Sequence, residues 1–327
     1  MHVTEPIIVA HAEPGLLAHF PDIVKLADGR LLATWREGPG HVDSDGRIRV
    51  TDSADGGLTW SEPRTAADGP FDDRDPKLAV LADGTVLLSF FVLEWGTRPR
   101  HTSHGTYVCR STDGGRTWSE PAAVGDPRWA VSHGAAVQLA DGDVLLPLYG
   151  RPNRDVRERA VIVRSDDGGR TWAAGEAVEI ADDGVDLQEP TLIVLGDEVV
   201  ALIRTTAGHA YLARSSDGGR EWSVPQPTDM PASSHHALVL GSGEVLVTYG
   251  DLEPRFSSHR DTVGRLVTRP EGSWDGYPDI HLYDSGHPDQ ANPSSAEVAP
   301  GRFLTLGFDV PKATVIGVFT EAGDYRK

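Results

Sequence analysis

Six short segments at the starts of apolar, β-prone runs carry most of the side chains able to do chemistry. They are Phe20-Pro21-Asp22, Arg74-Asp75-Pro76, Ser132-His133-Gly134, Gln188-Glu189-Pro190, Ser234-His235-His236 and Pro293-Ser294-Ser295. Arg36, Arg204, Arg255 and Arg260 stand at the ends of the strands that follow or in the next loops. A guanidinium grips a carboxylate or phosphate in bidentate fashion, so arginines gathered in an acidic protein point to a ligand bearing such a group. The competing use of these arginines is pairing with Asp75, Glu189 or Asp251. His19, His133, His235 or His236 with Asp75 or Glu189 also make a donor set for a cation. No tight spacing such as His-x-x-x-His accompanies them, so no metal or other cofactor is expected.

The elements that must position these residues are legible as repeats. The pattern Ser-x-Asp-Gly-Gly-x-(Thr/Glu)-Trp occurs at Ser53 to Trp60, Ser111 to Trp118, Ser165 to Trp172 and Ser215 to Trp222, at spacings of 58, 54 and 50 residues. That period suits four short strands per unit, as in a propeller blade. The Asp carboxylate accepts backbone N–H groups, the glycines take positive φ, and the Trp supplies apolar area against a neighbouring sheet. A second repeat, a short Asp-Gly-type hairpin, recurs at Leu26, Leu81, Leu139, Leu195, Leu240 and Ala299, and it counts six blades. Blade five carries Pro270-Glu271-Gly272-Ser273-Trp274 as a degenerate substitute for the Asp turn. The last blade is one strand short, and Pro6 to Ala10 can complete it. The expected fold is all-β, a single six-bladed β-propeller domain over residues 1–327, closed by the N-terminal strand.

In such a meander the Asp turns and Asp-Gly hairpins share one face. The longer, irregular loops open on the other, and most of the 13 histidines fall there. The formal net charge of −19 argues against a nucleic acid or an anionic membrane as partner. One cysteine, Cys109, excludes an intramolecular disulfide. No apolar segment approaches the ~20 residues of a membrane span, and the N-terminus lacks a basic-then-apolar signal pattern. The expected location is the cytoplasm, or outside the cell if a leader has been removed.

The repeated Asp turn resembles the Asp box of the sialidase (neuraminidase) superfamily, and the resemblance covers nearly the whole chain. Pro21 to Arg36-Glu37, His133 to Leu139 with Pro147-Leu148-Tyr149, and Glu189-Pro190 followed by Arg204 are similar to sialidase blade patterns. Sialidases hold a substrate carboxylate with three arginines, use a blade-one Asp as acid/base, and activate a blade-six Tyr with a blade-four Glu. The resemblance implies that Glu189 is that glutamate, Arg204 the second arginine and Arg260 the third, with Arg255 competing. Asp43 takes the acid/base position, with Asp45 close by.

Two departures stand out. His19 occupies the first arginine's place, and Asn292-Pro293-Ser294-Ser295 offers no tyrosine. A neutral nucleophile is favoured beside a sugar carboxylate, so the loss argues against ordinary retaining sialidase chemistry. The leading expectation is an exo-glycosidase with a carbohydrate substrate bearing a terminal acidic sugar. Asp43 would be proton donor and Glu189 base or nucleophile, with His133 and His19 beside them. Arg36, Arg74, Asp75, Arg204, His235, His236, Arg255, Arg260, Tyr149 and Tyr249 would contact substrate. The alternatives are a uronate lyase working through His19, His133, His235, Tyr149 and Arg204, and a non-catalytic glycan-binding propeller.

Overall fold

The computed structural model describes residues 4–97, 100–125, 129–172 and 177–326. Six antiparallel sheets make up the chain, the blades of a β-propeller. Blade one runs through Leu17–Lys25, Leu31–Gly38, Arg47–Ser53 and Arg64–Ala67; blade two through Asp72–Val80, Val86–Trp95, His101–Ser111 and Ala122–Ala123. In blade three the first strand is interrupted: Ala130–Ser132 and Val137–Gln138 both pair with Val144–Gly150, which is followed by Arg159–Ser165 and Val178–Ile180. Blade four comprises Leu187–Leu195, Glu198–Thr205, His209–Ser215 and Gln226–Pro231; blade five His235–Val239, Val245–Asp251, Asp261–Val267 and Asp279–Tyr283. Blade six has Ser294–Ala299, Arg302–Asp309 and Thr314–Glu321. Its outer position is filled from the other end of the chain by Ile7–His11, with Ile8 opposite Ile316 and His11 opposite Thr314.

The chain groups into two compact units, Met1–Pro76 with Ser234–Lys327, and Lys77–Ser233. The core of the first includes Val9, Ala10, Ala18, Ile23, Trp35, Ala296, Leu304, Leu306 and Phe319, so the N-terminal strand contributes apolar side chains as well as hydrogen bonds. In the second, one cluster joins Leu87, Val108, Leu146, Val161 and Trp172, and another joins Leu145, Ile162, Leu192, Ala201 and Ala213. Period-2 alternation of β-branched and aliphatic residues supplies these faces.

The Asp turns are built as their composition requires. Asp167 Oδ1 accepts the N–H groups of Arg170 and Thr171, both at 2.9 Å, its Oδ2 accepts the Thr171 hydroxyl at 2.6 Å, and Ser165 Oγ accepts the Gly169 N–H at 2.8 Å. Gly169 has φ 76°, and a Cβ there would lie 2.9 Å from Leu87 Cδ1, so the second glycine also permits close approach to the next sheet. In blade five Trp274 is buried and donates from its indole N–H to the Pro270 carbonyl at 2.9 Å.

Candidate functional site

In the second unit the first strand of blade four carries Glu189 and the adjacent strand carries Arg204. Gln188 pairs with Arg204 and Thr191 with Leu202, so one extra residue is absorbed in a bulge between them. Glu189 sits in that bulge at φ 45°, directly before Pro190. Proline disfavours the right-handed helical region for the residue before it, and a non-glycine residue at positive φ persists only when its surroundings over-determine it. Arg204 Nη1 donates to Glu189 Oε1 at 2.9 Å and to Oε2 at 3.1 Å. His133, buried just beyond the Ala130–Ser132 strand, brings Nε2 to 3.9 Å from Glu189 Oε2. A Cβ on the next residue, Gly134, would meet the Pro190 carbonyl at 2.3 Å, which explains how the His133 segment approaches this bulge so closely. A carboxylate so held can act as a base, as a nucleophile, or as the partner of a cationic centre.

The same device recurs in the first unit. Phe20, Asp75 and Asn292 have φ of 56°, 47° and 54°, and each directly precedes a proline at the start of a blade. The repeated non-glycine-then-proline step was visible in the sequence, but its backbone conformation was not.

Around blade one, Arg36 and Asp72 are both fully buried, with Arg36 Nε donating to Asp72 Oδ1 at 2.7 Å and Nη1 to the Gly40 carbonyl at 2.7 Å. Gly46 makes this possible: a Cβ there would fall 2.0 Å from Asp72 Oδ1 and 2.5 Å from Arg36 Nε. Arg74 Nη1 reaches Asp72 Oδ2 at 2.9 Å and the His41 carbonyl at 2.7 Å, and its guanidinium lies over the Phe20 ring. Asp75 is buried, with Oδ2 at 3.9 Å from Arg74 Nε. Its neighbour Asp73, also buried, is pushed up to about 6 by desolvation, which outweighs the N–H it accepts from Gly69 at 2.9 Å.

His19 lies on the first strand of blade one, His41 in the loop after the second, and Asp289 in the loop before blade six. His41 Nδ1 is 2.8 Å from Asp289 Oδ1, and His19 Nε2 is 3.4 Å from Asp289 Oδ2. Burial pushes the His19 imidazole down, against the pull of Asp289. Asp289 is held well below the usual carboxylate range: burial opposes this, and the contacts with His19 and His41 outweigh it.

The remaining residues singled out in the sequence divide between exposed loops and internal networks. Asp43 is half-buried and accepts the Ser44 N–H at 2.8 Å, while Asp45 is exposed. Arg260 Nη2 donates to Ser234 Oγ at 3.2 Å, in space that a Cβ on Gly250 would fill. Arg255 is tied to Asp251 at 2.9 Å and Asp279 at 2.7 Å, the internal pairing weighed for it above. His236 Nδ1 accepts the Ser295 N–H at 3.3 Å, and Tyr149 is half-buried on the second strand of blade three.

Three of the expected substrate contacts are enclosed by other side chains. Arg36 is fully buried and serves Asp72 and Gly40. Tyr249 is fully buried, accepts from Arg255 Nη2 at 3.1 Å, and has its phenol pushed up by burial and by Asp279. His235 is buried with its ring 5.0 Å from that of Tyr249. Conversely, Asp72 and Asp289 were not singled out in the sequence. Each lies three residues before the first residue of a non-glycine-then-proline step, and that position is the signal that would have found them.

A cleft of about 590 Å³ also opens among the hairpins of the first unit. Of its charged lining, Arg326 pairs with Glu244, and Glu297 accepts the N–H groups of Gly241 and Gly301.

Residues 29–295 match the family model of the BNR repeat-like domain. The chain belongs to the sialidase-like superfamily. A sialidase from Micromonospora viridifaciens is 32% identical, in a match that takes in 67% of this sialidase-like chain and 40% of that protein, so the chain spans well under half of the relative's length. A protein of unknown function from Dyadobacter fermentans has the same fold, with a TM-score of 0.85 at 24% identity over 98% of both chains. The intramolecular trans-sialidase of Ruminococcus gnavus, solved with oseltamivir carboxylate, matches with a TM-score of 0.73 at 14% identity, over 99% of the sialidase-like chain and 98% of its own. These two structures establish the six-bladed propeller of the sialidase-like chain, not its reaction.

Proposed function

We propose that this sialidase-like propeller is an exo-glycosidase that releases a terminal acidic sugar from a glycan or glycoconjugate without a tyrosine nucleophile. The observation that carries the reading is the Glu189 carboxylate, clamped by Arg204 and flanked by His133 on a strained bulge. In this reading Glu189 is the base or nucleophile and Arg204 a binder of the substrate carboxylate. Arg204 holds the Glu189 carboxylate through charge-assisted contacts, and either role requires that carboxylate in its ionised form. The placement of His19, where an arginine is expected, and of Asn292-Pro293, where a tyrosine is expected, supports chemistry altered from that of ordinary sialidases.

The test is a panel of aryl α-sialosides, other aryl glycosides of acidic sugars and uronate polysaccharides, read for released aglycone and for ultraviolet absorbance. Aglycone release from an acidic glycoside, with aryl α-sialosides turned over well below the ordinary enzyme range of roughly 1–10³ per second, is the expected result. A second reading, elimination on a uronate, is favoured by the approach of His133 to the same anion-binding pair. It requires an unsaturated, ultraviolet-absorbing product. Binding of glycans with neither signal would leave a lectin-like propeller.

A further inference from the structure

We propose that His19, His41 and Asp289 form a binding site for a divalent first-row transition-metal ion with the chemistry of Zn²⁺. One donor atom from each of the three residues can be chosen so that all lie within 4.8 Å of one another. Two imidazoles and one carboxylate are the donor set that suits zinc and its neighbours in the first transition row. A tetrahedral ion with bonds of ~2.0–2.1 Å holds its ligand atoms roughly 3.3 Å apart. His19 Nε2 lies 3.4 Å from Asp289 Oδ2 and His41 Nδ1 2.8 Å from Asp289 Oδ1, so the carboxylate spans the two rings, and an ion between them would be held through both oxygens or after a small carboxylate rotation.

The decisive residue is His19. It has no solvent exposure, and among the described residues neither ring nitrogen makes a hydrogen bond, its approach to Asp289 lacking the required geometry. Burying an unsatisfied imidazole costs roughly 1–3 kcal/mol, so the group calls for a partner. A simple histidine–aspartate clasp would align that N–H with the carboxylate. A metal ion takes the nitrogen lone pair instead. Phe20 and Phe308 wall the ring at centroid distances of 5.4 and 5.2 Å, and Phe20 meets the His41 ring edge-on at 5.0 Å, so both imidazoles are fixed by packing.

Exposure sets the kind of site. The side chains of His41 and Asp289 are 44% and 26% exposed, so an ion can enter from their side and keep a coordination position open to solvent, the arrangement of three-ligand catalytic sites. That open position would accept an anionic ligand such as a carboxylate.

The chain, stripped with a chelator, would be titrated with Zn²⁺ by calorimetry and with Co²⁺ by visible absorbance. One equivalent is expected to bind, with the ligand-field bands of a four- or five-coordinate cobalt ion and a rise in Tm on adding Zn²⁺. His41→Ala and Asp289→Asn, in loops and at side chains that are at least partly exposed, should each weaken Zn²⁺ binding ~100-fold or more. His19→Ala should do the same, but its burial makes it the less secure variant. Absence of stoichiometric uptake by the wild-type chain, or uptake unchanged in both loop variants, overturns the site. Because binding is read without turnover, a failed metal site leaves the glycosidase reading intact, and a metal-loaded protein inert on every glycoside defeats only the latter.

Discussion

Arg204 spends a single nitrogen, Nη1, on both carboxylate oxygens of Glu189, at 2.9 and 3.1 Å. A fork-on-fork pair would use two nitrogens. The rest of the guanidinium is therefore not committed to Glu189, so one arginine can hold the carboxylate in place and still present donors to an anionic ligand. Glu189→Gln keeps the shape and removes the charge. On a substrate found by the glycoside panel it should lower kcat at least ~10²-fold, while the melting curve moves little because the pair is only partly buried. Full activity in this variant would remove Glu189 from the mechanism and favour a histidine-based elimination.

Asp72 neutralises two buried arginines, Arg36 and Arg74, at 2.7 and 2.9 Å. Its removal strands both charges away from water. Asp72→Ala should cost about 3–5 kcal/mol in urea unfolding, the range for breaking a buried ion pair. A loss below ~1 kcal/mol would mean that water reaches Arg36 readily, contrary to its zero exposure.

Asp73 gives stability an inverted pH dependence. Its carboxyl is raised to about 6 in the folded chain, against ~4 when unfolded, so between these values the native state holds the proton more tightly. The unfolding free energy contributed by this group therefore falls as pH rises from ~4 to ~6, by roughly 2–3 kcal/mol, and is flat outside that window. Asp73→Asn should abolish this decline, making the variant more stable than wild type above pH 6. Parallel stability–pH curves for the two proteins between pH 4 and 6 would refute the assignment.

The N-terminal strand is structural. It pairs with Thr314–Glu321, buries Val9 and Ala10 in the core of its unit, and is pinned by Thr4, which exchanges hydrogen bonds with Phe319. Deleting residues 1–11 exposes the edge of blade six, and a large fall in Tm is expected by calorimetry. An unchanged Tm would show that this edge needs no partner.

Much of the fold was legible in the sequence because its determinants are local and repeated. Each Asp turn is stabilised by contacts within a few residues, as Asp167 shows with Arg170 and Thr171, and six hairpins counted six blades without any knowledge of long-range contacts. The missing strand of blade six followed from the same counting. Motif resemblance likewise directed attention to Glu189 and Arg204 before either was seen to touch the other.

Tertiary structure alone decided what the charged side chains do. Arg36 and Tyr249 stand at strand positions that suit a ligand contact, yet one is enclosed with Asp72 and the other with Arg255, because burial and pairing depend on neighbours remote in sequence. Asp72 lies 36 residues from its partner, and Asp289 lies 248 residues from His41. No local pattern encodes such meetings. The sequence determined by itself where backbone periodicity, turn chemistry and strand number were at stake. Electrostatic partnership, and with it the chemistry available to each carboxylate and imidazole, depends on distance and desolvation in three dimensions, and only the folded chain supplies those.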